Sequence, residues 1–503
     1  MLVCTYICTT KQQGMRKFLI IYICILSAIA TLASPKYEMR AVWLTTNWGL
    51  DWPSQPARNA REAVRQQEEL RRLLDEVEAL GFNTLFFQAR IRGEVFYNSE
   101  IEPWSRIVSG KPGVSPGYDP LAFVVAECHR RGLECHAWMV SIPVGSIKQV
   151  KQQGASALPA RHPEMCVKLK GEWYLNPGHP AVADYLASIA EEIADNYDVD
   201  GIHLDYIRYP DEMGAFPDAD TYQRYAPEDM ALEDWRVENI SHIVRTVCDV
   251  VKDIDEAIMV STAPLGRYTM IDGMPPSEWC CTGGASQDVV QWMLEGYNDF
   301  VAPMMYYRDS NFFPYLNDWV ERTDGEGYVV AGLGAYRMER GEGDWSLDDL
   351  RHQLQATRHY GAAGQAFFRL QHLLRFPDLA QFLSGDFYRY RALVPPMVKV
   401  HAPLAATPPV VELKSGYSGD TLVWQPVDAA VRYAVYADVS DSVDIEDVTN
   451  LVYTWVTDTT VVLPAMQYRS FAVTAIDAYR RETEPCYINA RKLPHYNVSL
   501  FCK

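Results

Sequence analysis

Along the first four-fifths of the chain, short apolar runs alternate with longer stretches whose apolar positions recur at helical spacing. The apolar runs are "MRAVWLT" (39–45), "NTLFFQAR" (83–90), "ECHAWMV" (134–140), "GIHLDYI" (201–207), "IMVSTA" (258–263), "FVAPMMYY" (300–307), "YVVAGLG" (328–334) and "GQAFFRL" (364–370). Each has strand length, and near-continuous hydrophobicity marks strands covered on both faces, as in a parallel sheet. Between them lie amphipathic helical patterns at 60–81, 184–197, 233–254 and 346–361, the first and last ending on Gly as helices often do. The interval between the fifth and sixth runs is less clearly helical. Eight strand-then-helix units predict an α/β fold, a (β/α)₈ (TIM) barrel over residues 35–393, with its extra length in the loops 141–180 and 208–232. A doubly wound open sheet is the alternative, but no GxGxxG follows any strand to support it.

The pattern changes after "LVPPMVKVHAPLAATPPV" (393–410), whose five prolines read as a linker over 394–410. From 411 to 503 the apolar period becomes two, in "DTLVWQPV", "RYAVYADV", "TTVVLP" and "RSFAVTAID", which predicts a small all-β sandwich. At the other end, "MRKFLIIYICILSAIATLAS" places Arg16 and Lys17 before an apolar run and the small pair Ala33-Ser34 after it. This reads as a secretory signal peptide over 1–34 that starts at Met15, since the run is shorter than the ~20 residues a membrane span needs. The expected location is secreted or periplasmic, with no transmembrane span after cleavage.

Composition narrows the partners. The formal net charge of −19 opposes binding to nucleic acid or anionic lipid. Eight of the eleven cysteines follow residue 34, too few in so long a chain for a disulfide scaffold, and no paired CxxC suggests zinc. Neither HExxH nor a His/Asp set at ligand spacing appears, and there is no P-loop and no G-x-S-x-G, so neither metal nor cofactor is expected.

Chemistry in a (β/α)₈ barrel gathers where strands end and the following loops begin. "GIHLDYIRYP" (201–210) loads such an end with Asp205, Tyr206 and Arg208. A nearby Arg would keep the carboxylate ionised, and an ionised, oriented Asp can attack an anomeric carbon or stabilise an oxocarbenium ion; the alternative is a structural Asp–Arg pair bracing the loop. Glycoside hydrolysis needs a second carboxyl group. Glu94, after the second strand, is the first choice, Asp309 the next, and Glu172 the weakest. Aromatic, amide and basic side chains at other strand ends, namely Trp43, Gln88, Arg90, His136, Trp138, Asn176, His203, Tyr306 and Tyr307, would with Tyr206 and Arg208 form a platform for sugar rings.

Four segments together, "MRAVWLTTNWGLDWPS" (39–54), "FNTLFFQAR…GEVFYNSEIEPWS" (82–105), "YLNPGHPAVADYLASIAEEIADNYDVDGIHLDYIRYP" (174–210) and "FVAPMMYY" (300–307), resemble the glycosyl-hydrolase-like 10 family. The resemblance spans about 37 to 390. It implies an exported (β/α)₈ barrel that hydrolyses glycosidic bonds in a polysaccharide or cell-envelope glycan, and many such proteins carry a C-terminal fibronectin-like module. "L-x-W" near the start of the β region and "YRSFAVTAIDAYRRETEP" near its end are similar to fibronectin type III domains. Asp205 matches the family's Asp in "DYIRYP", whereas Glu94 stands where an Asp is expected, and "AFFRL" departs from the expected ending of the eighth strand. By analogy with α-amylase-type barrels, Asp205 would be the nucleophile of a retaining mechanism. The rival function is a non-catalytic glycan-binding protein on the same scaffold.

Overall fold

The computed structural model describes residues 34–210, 216–274, 279–416, 419–464 and 467–489. The predicted signal segment, apart from Ser34, lies outside the described residues.

Eight parallel strands, β1 (Met39–Leu44), β2 (Thr84–Ile91), β3 (Glu134–Val140), β4 (Gly201–Asp205), β5 (Met259–Ala263), β6 (Phe300–Val301), β7 (Tyr328–Gly334) and β8 (Gly364–Phe368), pair in sequence, and β1 joins β8 to close the barrel. The principal helices are α1 (Ala60–Ala79), α2 (Pro120–His129), α3 (Ala181–Asn196), α4 (Leu232–Ile254), α5 (Val289–Leu294), α6 (Phe313–Thr323), α7 (Leu347–Tyr360) and α8 (Leu370–Arg375). In α1 the side chain of Asn59 accepts from the Glu62 N–H, and Ala63, Gln66, Leu70, Leu74 and Val77 form the buried stripe.

Three predicted strands end two or more residues before their apolar runs do, each for a local reason. β4 stops at Asp205 because Tyr206 takes a left-handed φ of 50°. β6 keeps two residues because Pro303 has no N–H for the ladder, and only Met304 bridges onward to Leu265 and Gly332. β8 gives way to α8 after Phe368. The ambiguous interval between β5 and β6 contributes only the short α5.

Side chains alternate along each strand, so Gly201, His203 and Asp205 of β4 share the barrel's inner face. Lower in the interior, Phe86 stacks on His203 at 4.3 Å, with Phe300 and His136 beside it. Gly201 is required there: a Cβ would sit 2.2 Å from His136 Nδ1.

The loop 141–180 folds into a small antiparallel sheet of Pro143–Ser146, Glu172–Leu175 and Cys166–Leu169. The C-terminal region forms two antiparallel sheets, β9 (Val411–Gly416), β10 (Gly419–Trp424) and β13 (Thr460–Leu463) in one, and β11 (Ala430–Asp438), β12 (Leu451–Val456), β14 (Ser470–Asp477) and β15 (Cys486–Asn489) in the other. Leu422, Trp424 and Leu463 from the first sheet share an apolar core with Val435, Phe471 and Val473 from the second. Six of the seven described cysteines are buried, and none of the seven is paired in a disulfide. No described helix is long and apolar enough to cross a membrane.

This β region closes the bottom of the barrel. Glu134, the first residue of β3, is fully buried and accepts from Arg480 Nε (2.8 Å) and Arg432 Nη2 (3.0 Å), while His136 Nε2 stands 3.4 Å away. The two guanidinium groups hold the Glu134 carboxyl well below its usual range despite complete burial. Trp455 of β12 lies under the Arg432 guanidinium at 4.0 Å and stacks on His129. At the N-terminal edge, Lys36 pairs with Glu482 at 2.9 Å.

Candidate active site

Asp205 sits at the C-terminal mouth of the barrel, on the wall of a cleft of about 300 Å³. The left-handed turn at Tyr206 folds its N–H back onto Asp205 Oδ1 at 2.7 Å, and Trp138 Nε1, one strand over, donates to Oδ2 at 3.0 Å. Asp205 is 5% exposed, enough to reach the cleft. Burial is the largest influence on its carboxyl. It outweighs the Tyr206 N–H, the Arg208 charge and the Trp138 indole, and pushes the pKa up to about 6. The Arg208 charge acts in the expected direction, toward the ionised form, but burial outweighs it. Asp205 titrates close to neutrality.

Around it the cleft is aromatic and amide-rich. Trp43, Gln88, Trp138, Tyr206 and Tyr306 line it, as the sequence suggested, together with Asn47, Arg92, Tyr336 and Phe368. Tyr306 lies 5.7 Å from both Tyr336 and Phe368, and Trp43 meets Phe368 at 6.2 Å. Burial, followed by the charge of Asp205, raises the Tyr306 phenol well above its usual value, so it meets a ligand as an O–H donor. Gln88 accepts from Thr45 Oγ1 at 2.7 Å and from the Asn47 N–H at 2.8 Å, which fixes the loop after β1.

Three predicted ligand contacts are instead supports. Arg90 is fully buried, bound to Glu102 through Nη2 (2.7 Å) and Nε (2.9 Å) and to the Val140 and Ser141 carbonyls, so its cation is spent inside the protein. His203, one layer below Asp205, accepts from Trp43 Nε1 at 3.1 Å and contacts Ser261 Oγ at 2.9 Å. Burial lowers its pKa well below the usual value, so it is the neutral ring that holds Trp43 in place. His136 lies lower still, beside Glu134. Two others are also outside the cleft: Asn176 is bound to Thr221 Oγ1 at 2.8 Å, and Tyr307 packs beneath Arg267 at 4.7 Å. Arg208 stacks on Tyr206 (4.9 Å) and Trp279 (5.2 Å) in a neighbouring cavity.

The second carboxyl is differently placed from the expectation. Glu94 lines a small cavity of about 20 Å³ that shares Asn47, Ile91 and Arg92 with the cleft. Its oxygens are engaged by Ser105 Oγ and Gln153 Nε2, each at 2.9 Å, and burial raises its pKa. Asp309 is exposed at the start of a 3₁₀ turn and does not line the cleft. Among the described lining residues, Asp205 is the one carboxylate. Nor do the described residues contain three or more His, Cys, Asp or Glu side chains arranged to hold a metal ion.

Sequence reading missed Arg92, Tyr336 and Phe368. Phe368 ends β8 and Tyr336 follows β7 by two residues, so strand-end position was the available signal.

Comparison with known proteins places the chain among carbohydrate-active relatives. It is 28% identical over 408 residues to "Glycosyl hydrolase YngK" of Bacillus subtilis, covering 76% of this chain and 78% of that one. It is 31% identical over 353 residues to "Glycosyl hydrolase DigH" of Escherichia coli, covering 63% and 79%. A solved structure, the PgaB (BpsB) glycoside hydrolase domain of Bordetella bronchiseptica, aligns over 70% of this chain and 99% of its own at 16% identity with a TM-score of 0.49. The model of the family described as "Glycosyl hydrolase-like 10" matches residues 38–325, and the chain belongs to that family.

Proposed function

We propose that the protein is an exported glycoside hydrolase that cleaves glycosidic bonds in a polysaccharide or cell-envelope glycan, with Asp205 as the reacting carboxylate. The observation that carries this is the double N–H clamp on Asp205, from Trp138 Nε1 and the Tyr206 amide, inside an aromatic cleft. Two N–H donors favour the acceptor-only, ionised form. They hold it still beside the position where a sugar ring stacked on Tyr306 would develop positive charge. Family membership supports the reaction class, and the apolar N-terminal segment supports export. Glu94 is the proposed proton donor. It stands one cavity away with its pKa raised, and it reaches a glycosidic oxygen only by leaving Ser105 or Gln153.

The second reading is a glycan-binding protein without turnover. It is favoured by the single carboxylate on the described cleft wall, since hydrolysis by two acids needs them about 5–9.5 Å apart. One experiment separates the two. Purified mature protein is incubated with a panel of bacterial envelope and plant glycans, with products read by mass spectrometry. Turnover by wild type that Asp205→Asn abolishes supports hydrolysis. Retained binding with no product from wild type supports the second reading.

A further inference from the structure

The small antiparallel sheet is inserted between β3 and α3. Its strands provide Pro143, Leu169, Glu172 and Tyr174 to a second cavity of about 370 Å³, larger than the cleft over Asp205. The two spaces adjoin: Arg92, Pro143 and Tyr206 line both. Tyr206 is the partition between them. Its left-handed φ of 50° turns the chain sharply at the end of β4, and Tyr206 is 42% exposed. Arg92, also left-handed at φ 54°, reaches Glu172 Oε2 at 3.3 Å and ties the end of β2 to the inserted sheet. Within the outer cavity the Tyr174 ring is braced edge-on by Phe216 at 6.4 Å and 71°. Aromatic faces beside hydrogen-bonding side chains suit a sugar ring, with its C–H face and its rim of hydroxyls.

We propose that this outer cavity is a second saccharide subsite, so that the ligand is a chain of at least two sugar units spanning both spaces rather than a single terminal sugar. The proposal rests on the glycan reading of the cleft. A unit held beyond Tyr206 anchors the chain while its neighbour lies over Asp205, so binding energy from the non-reacting unit aligns the scissile bond.

The test is made on the full chain, with Asp205→Asn used so that bound sugars are not consumed. Cello-, manno- and chito-oligosaccharides of one to five rings are titrated calorimetrically. Affinity for at least one series is expected to rise about tenfold or more from one ring to three, the size of one good aromatic contact. Tyr174→Ala removes that increment and Tyr174→Phe restores it, with melting temperatures confirming that both variants fold. Equal affinity for one and three rings, an increment that survives Tyr174→Ala, or no binding by any series overturns the subsite. Oligosaccharides bound with the increment but not turned over by wild type would sink the hydrolase reading and leave the subsite standing. Turnover without the increment would do the reverse.

Discussion

Two buried acids on adjacent strands receive opposite treatment. Glu134 opens β3 at the bottom of the barrel; Asp205 closes β4 at the top. Both are withdrawn from water, at 0% and 5% exposure. Glu134 is given two guanidinium groups, Arg432 from β11 and Arg480 from the turn after β14, and its carboxyl is driven down. Asp205 is given two uncharged N–H donors, and burial wins, lifting it to about 6. The difference separates a carboxylate locked in its charged form by two cations from one whose burial leaves it titrating near 6. It also fits the polarity of the fold, in which C-terminal strand ends carry reactions and N-terminal ends carry stability.

The largest contrast comes from removing each acid's function in turn. Asp205→Asn is expected to cut kcat/KM by about 10⁴-fold on whichever glycan the wild type cleaves, leaving the far-ultraviolet circular dichroism unchanged. A variant that keeps wild-type turnover would show that the poised carboxyl is not the reacting one. At the other end, Arg480→Ala strands Glu134 with part of its charge unmatched, and such losses cost about 3–5 kcal/mol of stability. Urea titration reads this directly. A loss below about 1 kcal/mol would make the bottom cluster ornamental, and the comparison would lose its structural half.

How much of this could be seen in the sequence follows from the range over which each feature is encoded. The strands and helices of the barrel are local patterns, and β3 and β7 occupy the predicted residues 134–140 and 328–334. Asp205 was legible because a carboxylate at the end of an apolar run violates the rule for buried strands. Arg90 and His203 were misjudged for the converse reason. Polar residues on a strand look like ligands for a substrate until Glu102 and Trp43 are seen to occupy them. Glu134 drew no attention at all, since its partners Arg432 and Arg480 lie 298 and 346 residues away. Nor could the sequence say that burial would outweigh Arg208 at Asp205, because depth is a property of the folded cavity.

Stability against pH sharpens the same contrast. The Asp205 carboxyl is raised from its ordinary 3.8 to about 6, so its ionised form destabilises the fold. That penalty is absent below pH 3.8, grows as pH rises through the interval, and is complete above about 6, where the shift corresponds to about 3 kcal/mol. Asp205→Asn is therefore expected to gain about 1.4 kcal/mol of stability relative to wild type on going from pH 5 to pH 8, since about half of the penalty is already present at pH 5 and the amide's poorer fit to two N–H donors is the same at both pH values. Glu134 has the opposite sign. Its lowered pKa contributes stability above the ordinary carboxylate range, lost only as pH falls well below it. Paired denaturant melts at the two pH values measure the first effect. No pH-dependent gain would mean that Asp205 is better solvated than its burial implies.

The smallest effect isolates one hydrogen bond. If ionised Asp205 is the reacting form, kcat/KM climbs with pH along a limb whose midpoint is about 6. Trp138→Phe deletes the N–H on Oδ2 while keeping an aromatic side chain in the cleft wall. Losing a donor to the charged form moves that midpoint upward by about one unit and lowers kcat/KM by about fivefold at pH 6, with recovery on the alkaline side. The direction of the limb is itself decisive. Were activity to fall rather than rise through pH 6, Asp205 would be giving a proton to the leaving oxygen, and removing the Trp138 donor would then extend activity to higher pH instead of confining it there.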